Sequence, residues 1–448
     1  MTSAPKTPLR PFVRVVVVNF DGGDVTRRCI DALLATRYPA DRLELVVVDN
    51  ASVDGFNWVL REEYPQVTLI QSDTNEGFAR GCNLAMRDLD GVDHVALINN
   101  DAIVDPDWLE PLLTPMEDPS VGAVVPKLLL NVWAHAVTLR TDRLHRTADD
   151  RLVGVRVQRV EVDGVDRTDS VRFDERFWPT EADDDERGQW SKATSSVWWA
   201  ADDQPQTVRL TLRAATDVTV QVGTPDDATS HAVGTAPAVV ECTTDRRVRI
   251  INSAGGGLFK GWFGGDRGFL EPDLGQYDEP AEVFAWCGGA VLLRSRYLRE
   301  VGLFDPTFFL YYEDFDLSWR GRSSGWTYRY EPTSVVFHEH AYSSKAGSSF
   351  FRFWVDRNRR LTLVKNAPAG VATRACLGAV KDAASDFARH TYHQARRLRP
   401  PSPRVTKEIM KPVISLAGAL PSALRARRRL ARRRTVSHAD IARWTITK

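Results

Sequence analysis

The stretch Val-Ala-Leu-Ile-Asn-Asn-Asp, residues 95–101, decides the fold class of this chain. Four consecutive apolar residues are typical of a parallel strand that is buried on both faces. Ligands of open α/β sheets bind at the carboxyl ends of such strands, so Asn99, Asn100 and Asp101 are predicted to lie at a binding edge. Their oxygens could hold a hard divalent cation, which could carry a diphosphate. A plain polar turn is the alternative, because Asn and Asp are common turn residues.

The residues before this stretch alternate between short apolar runs and helical patterns. Buried strands are predicted at 13–18, 43–48 and 67–70, each followed by a loop and a helix. Alternation of this length implies an α/β fold with a doubly wound, mostly parallel sheet and right-handed crossovers. The strand ends would then all point toward one crevice.

Polar motifs stand at the ends of these predicted strands. They are Val-Val-Asn-Phe (17–20), Val-Asp-Asn-Ala-Ser (48–52), Asn-x-Gly-Phe-Ala-x-Gly-x-Asn (75–83) and Leu-Ile-Asn-Asn-Asp (97–101). In this order and spacing they resemble the nucleotide-sugar half of family 2 glycosyltransferases. The resemblance implies the GT-A fold, an inverting reaction and a requirement for Mg²⁺ or Mn²⁺. An ordinary loop that starts a helix is the alternative for residues 75–83.

The resemblance also assigns roles to individual residues of this half. Asp101 would bind the metal, because the family often replaces the first aspartate of its DxD motif, here by Asn99, and retains the last. The predicted donor nucleotide-binding residues are Asn19, Asp49, Asn75, Arg80 and Asn100. Among these, Asp49 would contact the base.

The pattern changes between about residue 131 and residue 249. Apolar and polar residues alternate there with a period of two, which predicts an inserted small β-sandwich. Asp163-Gly164 lies between two alternating runs and predicts a hairpin turn. Trp198 and Trp199 could stack on a sugar ring if they are exposed, and core packing is the alternative because large aromatic side chains are mostly buried.

Family-like sequence resumes near residue 250. Residues 301–320 contain Glu313-Asp314 between an aromatic run and an amphipathic helix, and this is the most specific signature of the chain. By resemblance Asp314 is the base that takes the proton of the acceptor hydroxyl, and Glu313 is the alternative base. Burial would raise the pKa of such a carboxyl group. Acids that complement a helix dipole are the structural alternative.

Further roles in this half follow from the same resemblance. Trp286, Gly288 and Gly289 are predicted to contact the acceptor, since glycines allow a ligand to come close. His338 follows a short strand and is predicted to ligate the metal with Asp101, because imidazole is acceptable to Mn²⁺ beside carboxylates. His340 competes for that role.

The C-terminal region from residue 370 to residue 448 is strongly basic. It contains eighteen Lys and Arg against four acids, although the whole chain is neutral. A helix is predicted at 370–399, Pro400 to Pro403 would break it, and seven arginines fall within 425–434. A basic amphipathic segment suits an anionic membrane surface. Nucleic acid is not expected as a partner, because no aromatic residues interrupt the arginine run.

Together these patterns predict three regions and one activity. Residues 1–130 and 250–369 would form the glycosyltransferase domain, 131–249 the β-rich insert and 370–448 a helical tail. The expected reaction transfers a sugar, possibly rhamnose or galactofuranose, from a UDP or dTDP donor to a glycan or lipid-linked acceptor of the cell envelope. A sugar nucleotidyltransferase is one alternative, but it would need a cation in a glycine-rich loop after the first strand. A non-catalytic glycan-binding scaffold is another, but it would have lost the acids.

The sequence also predicts a location. The first eleven residues lack an apolar core, and no run of eighteen apolar residues occurs. Five cysteines without CxxC spacing fit a reducing compartment. We therefore expect a cytoplasmic protein that is peripheral on the inner face of the cell membrane.

Overall fold

The computed structural model describes residues 10–178, 188–224, 226–339 and 348–446. Among these residues the chain divides into two compact units. The larger unit falls within Met1–Leu128, Gly255–Arg267 and Pro280–Lys448, and the smaller one is Leu129–Ala254 with Gly268–Glu279.

The larger unit begins with alternating strands and helices, as the sequence predicts. The strands β1, β2, β3 and β4 pair in parallel in the order β3-β2-β1-β4. The elements of this half are β1 (Val13–Asn19), α1 (Gly23–Leu34), β2 (Leu43–Asp49), α2 (Phe56–Glu63), β3 (Thr68–Gln71), α3 (Gly77–Ala85), β4 (His94–Ile98), β5 (Ala102–Val104), α4 (Leu109–Leu113) and β6 (Val121–Thr141).

The central strands are buried because their sequences are apolar throughout. Every residue of β4 is buried, and β1 buries all but two of its residues. Val15 and Val47 belong to one core with Ile30 and Leu33 of α1, which shows how the helical periodicity covers the sheet. The predicted α/β fold class is therefore confirmed for this half.

The smaller unit is a β-sandwich that contains the end of β6. Its other strands are β7 (His145–Arg146), β8 (Leu152–Val153), β9 (Val155–Val162), β10 (Val165–Asp166), β11 (Arg172–Phe173), β12 (Gln189–Trp190), β13 (Thr194–Ala200), β14 (Gln206–Ala214), β15 (Val218–Gly223), β16 (Ala228–Val233), β17 (Ala238–Thr244) and β18 (Val248–Ser253). One sheet has the order β10-β9-β14-β17, and the other pairs β6 with β13 and β15.

Period-two alternation builds the core of this sandwich. Val208, Leu210 and Leu212 of β14 are fully buried, whereas Arg209 between them is exposed. The predicted hairpin at Asp163-Gly164 joins β9 to β10, and both turn residues have positive φ. Trp198 is 7% exposed, so of the two interpretations of the Trp198-Trp199 pair, core packing holds for Trp198.

The remaining part of the larger unit completes its sheet and carries four long helices. Strand β22 pairs antiparallel with β4, and its other edge pairs antiparallel with the start of β6. The elements are β19 (Gly256–Phe259), β20 (Phe263–Asp266), β21 (Ala281–Glu282), β22 (Ala290–Arg294), α5 (Ser295–Val301), α6 (Glu313–Ser323), β23 (Thr327–His338), α7 (Ser349–Asn366), α8 (Ala369–Ala395), α9 (Pro403–Arg433), α10 (His438–Ala442) and β24 (Thr445–Ile446).

The basic C-terminal helices belong to the larger unit, where α8 and α9 pack on α7. Arg427 donates to the carbonyls of Val364 and Ala367 at 2.8 and 2.7 Å, and Arg434 donates to that of Asn366 at 3.2 Å. These carbonyls lie at the C-terminal end of α7, where helical C=O groups need partners and cations are favoured. Part of the arginine run thus caps a helix. Within the described ranges, no helix is both long enough and apolar enough to cross a membrane.

Candidate functional site

The ends of β1 and β2 bring Asn19 and Asp49 together, because the two residues are paired in the parallel register. Both side chains are buried. Asn19 Nδ2 donates to Asp49 Oδ1 at 3.2 Å and to Ser52 Oγ at 3.1 Å. Asn19 Oδ1 accepts a bond of 2.7 Å from the Thr26 hydroxyl. Two predicted donor-binding residues therefore share one hydrogen-bonded group at the sheet edge.

One oxygen of this group has no partner. Asp49 Oδ2 is buried and makes no hydrogen bond to any described residue. Leaving a buried carboxylate oxygen unbonded costs free energy, so an incoming N–H donor would be favoured there. The imide N–H of uracil or thymine is a donor of this kind. The assignment of Asp49 to the base fits this chemistry and stays a prediction.

A second polar group lies between the end of β2 and the start of α3. Asn50 Nδ2 donates to Asn75 Oδ1 and to the carbonyl of Gly77, each at 3.1 Å, and Asn50 Oδ1 accepts from the Glu76 amide at 2.9 Å. Gly77 has φ of 74°, and a Cβ there would lie 2.2 Å from the carbonyl oxygen of Phe309. Only glycine fits this turn, which holds Asn75 at the same edge of the sheet.

Arg80, in the first turns of α3, is less constrained than the other predicted donor residues. Its guanidinium is half-exposed and pairs with Glu76 at 3.0 Å, while Nε donates to the carbonyl of Pro306 at 3.0 Å. Exposed ion pairs of this type contribute little to stability. An anionic ligand could therefore exchange for Glu76.

The predicted metal residues are in direct contact. His338 lies at the end of β23, which pairs with β5, and its Nε2 is 2.9 Å from Asp101 Oδ1. Asn99 Nδ2 lies 3.2 Å from the same ring nitrogen. Asn100 points elsewhere, because its Nδ2 donates to Thr26 at 3.0 Å beside Asn19. His340, the competing residue, lies outside the described residues.

This pair fits a divalent cation only in part. Carboxylate oxygen and imidazole nitrogen are acceptable ligands for Mn²⁺. However, the described residues include no group of three or more His, Cys, Asp and Glu side chains that could hold a metal ion. Asp101 and His338 could therefore serve as two protein ligands, and the other positions would be left to a diphosphate and water.

The candidate base lies at the start of α6, after two residues with strained backbone. Tyr311 and Tyr312 both have φ of 69°, which is uncommon for residues other than glycine. Asn358 of α7 holds this turn, because its Nδ2 donates to the carbonyls of Leu310 and Tyr311 at 2.9 and 2.8 Å. The strain is thus supported from a neighbouring helix, and Asp314 follows directly.

The two acids of this motif have different surroundings. Asp314 accepts from the backbone amides of Gly288 at 2.9 Å and Phe315 at 2.7 Å, and these bonds favour its ionised form. Burial nevertheless raises the pKa of Asp314. Burial, and then the neighbouring charge of Asp314, raises the pKa of Glu313 well above its ordinary value, and Glu313 Oε2 has no partner among the described residues. The pair should therefore hold its proton on Glu313 and its charge on Asp314.

We expect the variant Glu313→Gln to gain stability relative to the wild type as the pH rises. The folded state holds the Glu313 proton more tightly than the unfolded state, so this contribution is complete below the unfolded pKa, near ~4.3, and is lost as pH rises through the folded pKa. In that window the difference in free energy of unfolding should grow by at most about 1.4 kcal/mol per pH unit. Urea unfolding of both proteins from pH 4 to pH 9 measures it; a difference that is constant across this range would show that the pKa is not raised.

Two of the predicted acceptor residues, Gly288 and Gly289, form a turn beside Asp314, and the third, Trp286, is buried. The backbone amide of Gly288 donates to Asp314, and the carbonyl of Gly289 accepts from the backbone amide of Asn99 at 2.9 Å. Trp286 is 1% exposed and packs against Phe304, with ring centroids 6.0 Å apart. Its part in acceptor binding stays a prediction, and its position is that of a core residue.

Sequence reasoning missed three contributors to this region. Asn50 was left out although it adjoins Asp49 in a recognised motif, which was a sufficient signal. Asn358 was not assigned, and its support of the Tyr311 turn depends on a contact across 47 residues. Helix α9 contributes Ser415 and Ser422 to a cavity that Arg80 also lines, and no local pattern could have indicated this contact.

Residues 14–151 match the model of the family "Glycosyl transferase family 2". The O-antigen biosynthesis protein RfbC of Myxococcus xanthus is 34% identical over 123 residues, which are 27% of this chain and 9% of that protein. The glycosyltransferase AglE of Haloferax volcanii is 26% identical over 107 residues, which are 23% of this chain and 35% of that protein.

The similarity to these relatives and to solved structures is partial. This chain spans well under half the length of either relative. Among solved structures, the mannosyltransferase PcManGT from Pyrobaculum calidifontis, in complex with GDP-Man and Mn²⁺, has a TM-score of 0.38 and 16% identity, and the alignment covers 98% of this chain and 80% of that one.

Proposed function

We propose that the chain is an inverting glycosyltransferase, because residues 14–151 match the model of glycosyl transferase family 2. The donor would be a nucleoside diphosphate sugar, with UDP or dTDP as the nucleotide and rhamnose or galactofuranose among the sugars. The acceptor would be a hydroxyl group of a cell-envelope glycan or of a lipid-linked glycan.

One observation carries this proposal. The turn at Gly288-Gly289 connects the candidate base to the candidate metal loop, because the Gly288 amide donates to Asp314 and the Gly289 carbonyl accepts from Asn99. Asn99 in turn lies beside His338, which contacts Asp101. Glycosyl transfer requires a general base and a group that binds the diphosphate, and here the two candidates are connected through one turn.

The residues suggest a single displacement. The acceptor oxygen attacks the anomeric carbon from the face opposite the diphosphate, Asp314 takes the hydroxyl proton, and the bond from the anomeric carbon to the diphosphate oxygen breaks with inversion. A cation held by Asp101 and His338 would neutralise charge that develops on the departing diphosphate. Asp49 would orient the nucleobase, and the hydrogen bonds of Asn50 would hold the loop that carries Asn75.

Label transfer tests the proposed function. Purified protein is incubated with UDP- and dTDP-sugars labelled in the sugar, with Mn²⁺ and with an envelope extract that supplies glycan and lipid-linked acceptors. Label that enters glycan or lipid only with an intact Asp314 supports the proposal. Label that stays in the nucleotide sugar, or in free sugar, with every donor would contradict it.

The exposed face of α9 supports membrane association as a further part of the proposal. Met410, Ile414 and Leu424 are exposed on α9. Helical spacing places Arg425 and Arg428, which are also exposed, on the same side as Ile414. Apolar side chains with cations beside them suit the interface of an anionic bilayer.

We expect Ile414→Glu to weaken binding to anionic vesicles by on the order of tenfold. The substitution removes apolar area that the bilayer would bury, and it adds a negative charge that the anionic lipids repel. Sedimentation with phosphatidylglycerol-containing vesicles measures this. Val239→Glu is the matched control, because Val239 is 68% exposed and Ile414 65% exposed. Equal binding of both variants, or equal binding to neutral vesicles, would refute the role of α9.

A further inference from the structure

A polar cavity of about 490 Å³ lies in the larger unit between the start of α3, the loop before Phe309, and the helices α7 and α9. Its wall includes Arg80, Thr307, Trp354, Arg357, Ser415 and Ser422. The function proposed above does not use α7 or α9 in this way.

Arg357 is the strongest reason to expect an anion in this cavity. The residue is 6% exposed, and its Nη1 donates to the Thr307 carbonyl at 2.8 Å and to Asn358 Oδ1 at 2.7 Å. Nε has no hydrogen-bond partner among the described residues. Both acceptors are uncharged, and a buried guanidinium without a bonded anion costs free energy. A phosphate group can accept from Nε and supply the missing charge.

A second guanidinium lines the same space. Arg80 Nε donates to the Pro306 carbonyl, and among the described residues its ion-pair partner is Glu76 at the surface. Two arginines that line one cavity can bind one phosphate group through separate oxygens.

Small residues of α9 leave the cavity open toward an apolar rim. A side chain added at Gly418 would meet nothing within 4 Å, and Ser415 and Ser422 lie one turn away on either side. Phe309 stacks on Trp354 with ring centroids 5.2 Å apart, and the neighbouring Phe350 is 47% exposed. A cationic pocket with exposed apolar side chains beside it suits the phosphate of a lipid more closely than a free phosphate.

We propose that this cavity is an acceptor subsite that takes the phosphate group of a lipid-linked acceptor, with Arg357 as its main ligand and α9 as its outer wall. In this proposal Arg80, which the resemblance assigned to the donor nucleotide, binds the acceptor phosphate instead. The inference rests on the proposed glycosyltransferase function and names the class of its acceptor. It also gives the C-terminal helix a part in substrate selection.

Isothermal titration of the full chain with farnesyl phosphate, farnesol and inorganic phosphate tests the subsite. We expect farnesyl phosphate to bind, and each of the other two probes to bind at least about tenfold more weakly, because one lacks the anion and the other the apolar chain. Gly418→Leu should weaken the binding of farnesyl phosphate by about tenfold or more, since the leucine occupies the cavity. Gly378→Leu is the matched control, because Gly378 lies on α8 and also has open space around it.

A second variant removes the charge. Arg357→Gln should weaken farnesyl phosphate at least as much as Gly418→Leu, and circular dichroism spectra of all variants confirm that they fold. Equal affinity for inorganic phosphate and farnesyl phosphate would show that the cavity does not select the phosphate of a lipid. Unchanged affinity for farnesyl phosphate in both variants would show that the ligand does not bind in this cavity.

Titration with UDP in the presence of Mn²⁺ separates this inference from the proposed function. UDP binding that persists in Gly418→Leu, with farnesyl phosphate and UDP bound together, supports a separate acceptor subsite. Competition between the two ligands would make the cavity part of the donor site and overturn the inference alone. If the wild type does not bind UDP, the proposed function is contradicted instead.

Discussion

Replacing Asp314 with asparagine should lower the turnover number by about 10²–10⁴-fold, which is the usual contribution of a general base. Asparagine keeps the shape of the side chain, and its one oxygen can still accept from either the Gly288 or the Phe315 backbone amide, but its Nδ2 cannot accept a hydrogen bond and the side chain cannot take a proton. Donor binding should change little. Steady-state kinetics with a saturating donor, together with nucleotide titration of the variant, measure the two effects separately.

Glu313→Gln is the matched control for this prediction. Burial and the Asp314 charge raise the pKa of Glu313 well above its ordinary value, which favours the neutral form of its side chain, and glutamine imitates that form. We expect its turnover number to stay within about tenfold of the wild type. If Glu313→Gln loses more activity than Asp314→Asn, then Glu313 is the base and the assignment of the pair is reversed.

The second large effect concerns Asp101. Asp101→Ala should lower kcat/KM by at least about 100-fold, because the diphosphate would lose several kcal/mol of charge stabilisation. The loss should appear as weaker donor binding and as a loss of the response to added Mn²⁺. Kinetics at increasing Mn²⁺ concentrations measure both.

Asp105→Ala provides a control in the neighbouring loop, because Asp105 is exposed and its side chain accepts only from the Asp107 amide among the described residues. It should retain the response to Mn²⁺. If Asp101→Ala responds to Mn²⁺ as the wild type does, the metal is held elsewhere or is not used.

The nucleotide-binding half could be predicted from sequence because its signals are local. Each β-branched run, such as Val13–Val18, is long enough to be a strand and too short to be a helix, and Asn19, Asp49 and Asp101 stand at or just after strand ends. Parallel pairing then brings those ends together without further information. The contact of Asn19 with Asp49 is a direct result of this rule.

Elements whose partners lie far away in sequence could not be predicted in the same way. Strand β6 continues to Thr141, well past residue 130, where this part of the domain was predicted to end, because its second part pairs with β13 and β15. The arginine run was predicted to face a membrane, which stays a prediction for its exposed members, but the sequence did not show that Arg427 and Arg434 cap α7. Periodicity shows that a helix has two faces, but it does not tell which surface covers each face.

The hydrogen bonds between side chains of the site could not be predicted from the sequence either. The motif identified Glu313 and Asp314 as acids, but the separation of their roles depends on two amides that reach Asp314 and none that reaches Glu313 Oε2. The strained pair Tyr311 and Tyr312 also needs the support of Asn358, which a local pattern cannot show.

Isothermal titration of the wild-type protein with UDP, dTDP and GDP, each with Mn²⁺ and with excess EDTA, tests most directly whether this chain binds a nucleoside diphosphate through a metal. We predict that UDP or dTDP binds in Mn²⁺ and that EDTA weakens this binding by at least about tenfold. Absence of binding by all three nucleotides in both conditions would contradict the donor site, and equal binding with and without EDTA would contradict the metal.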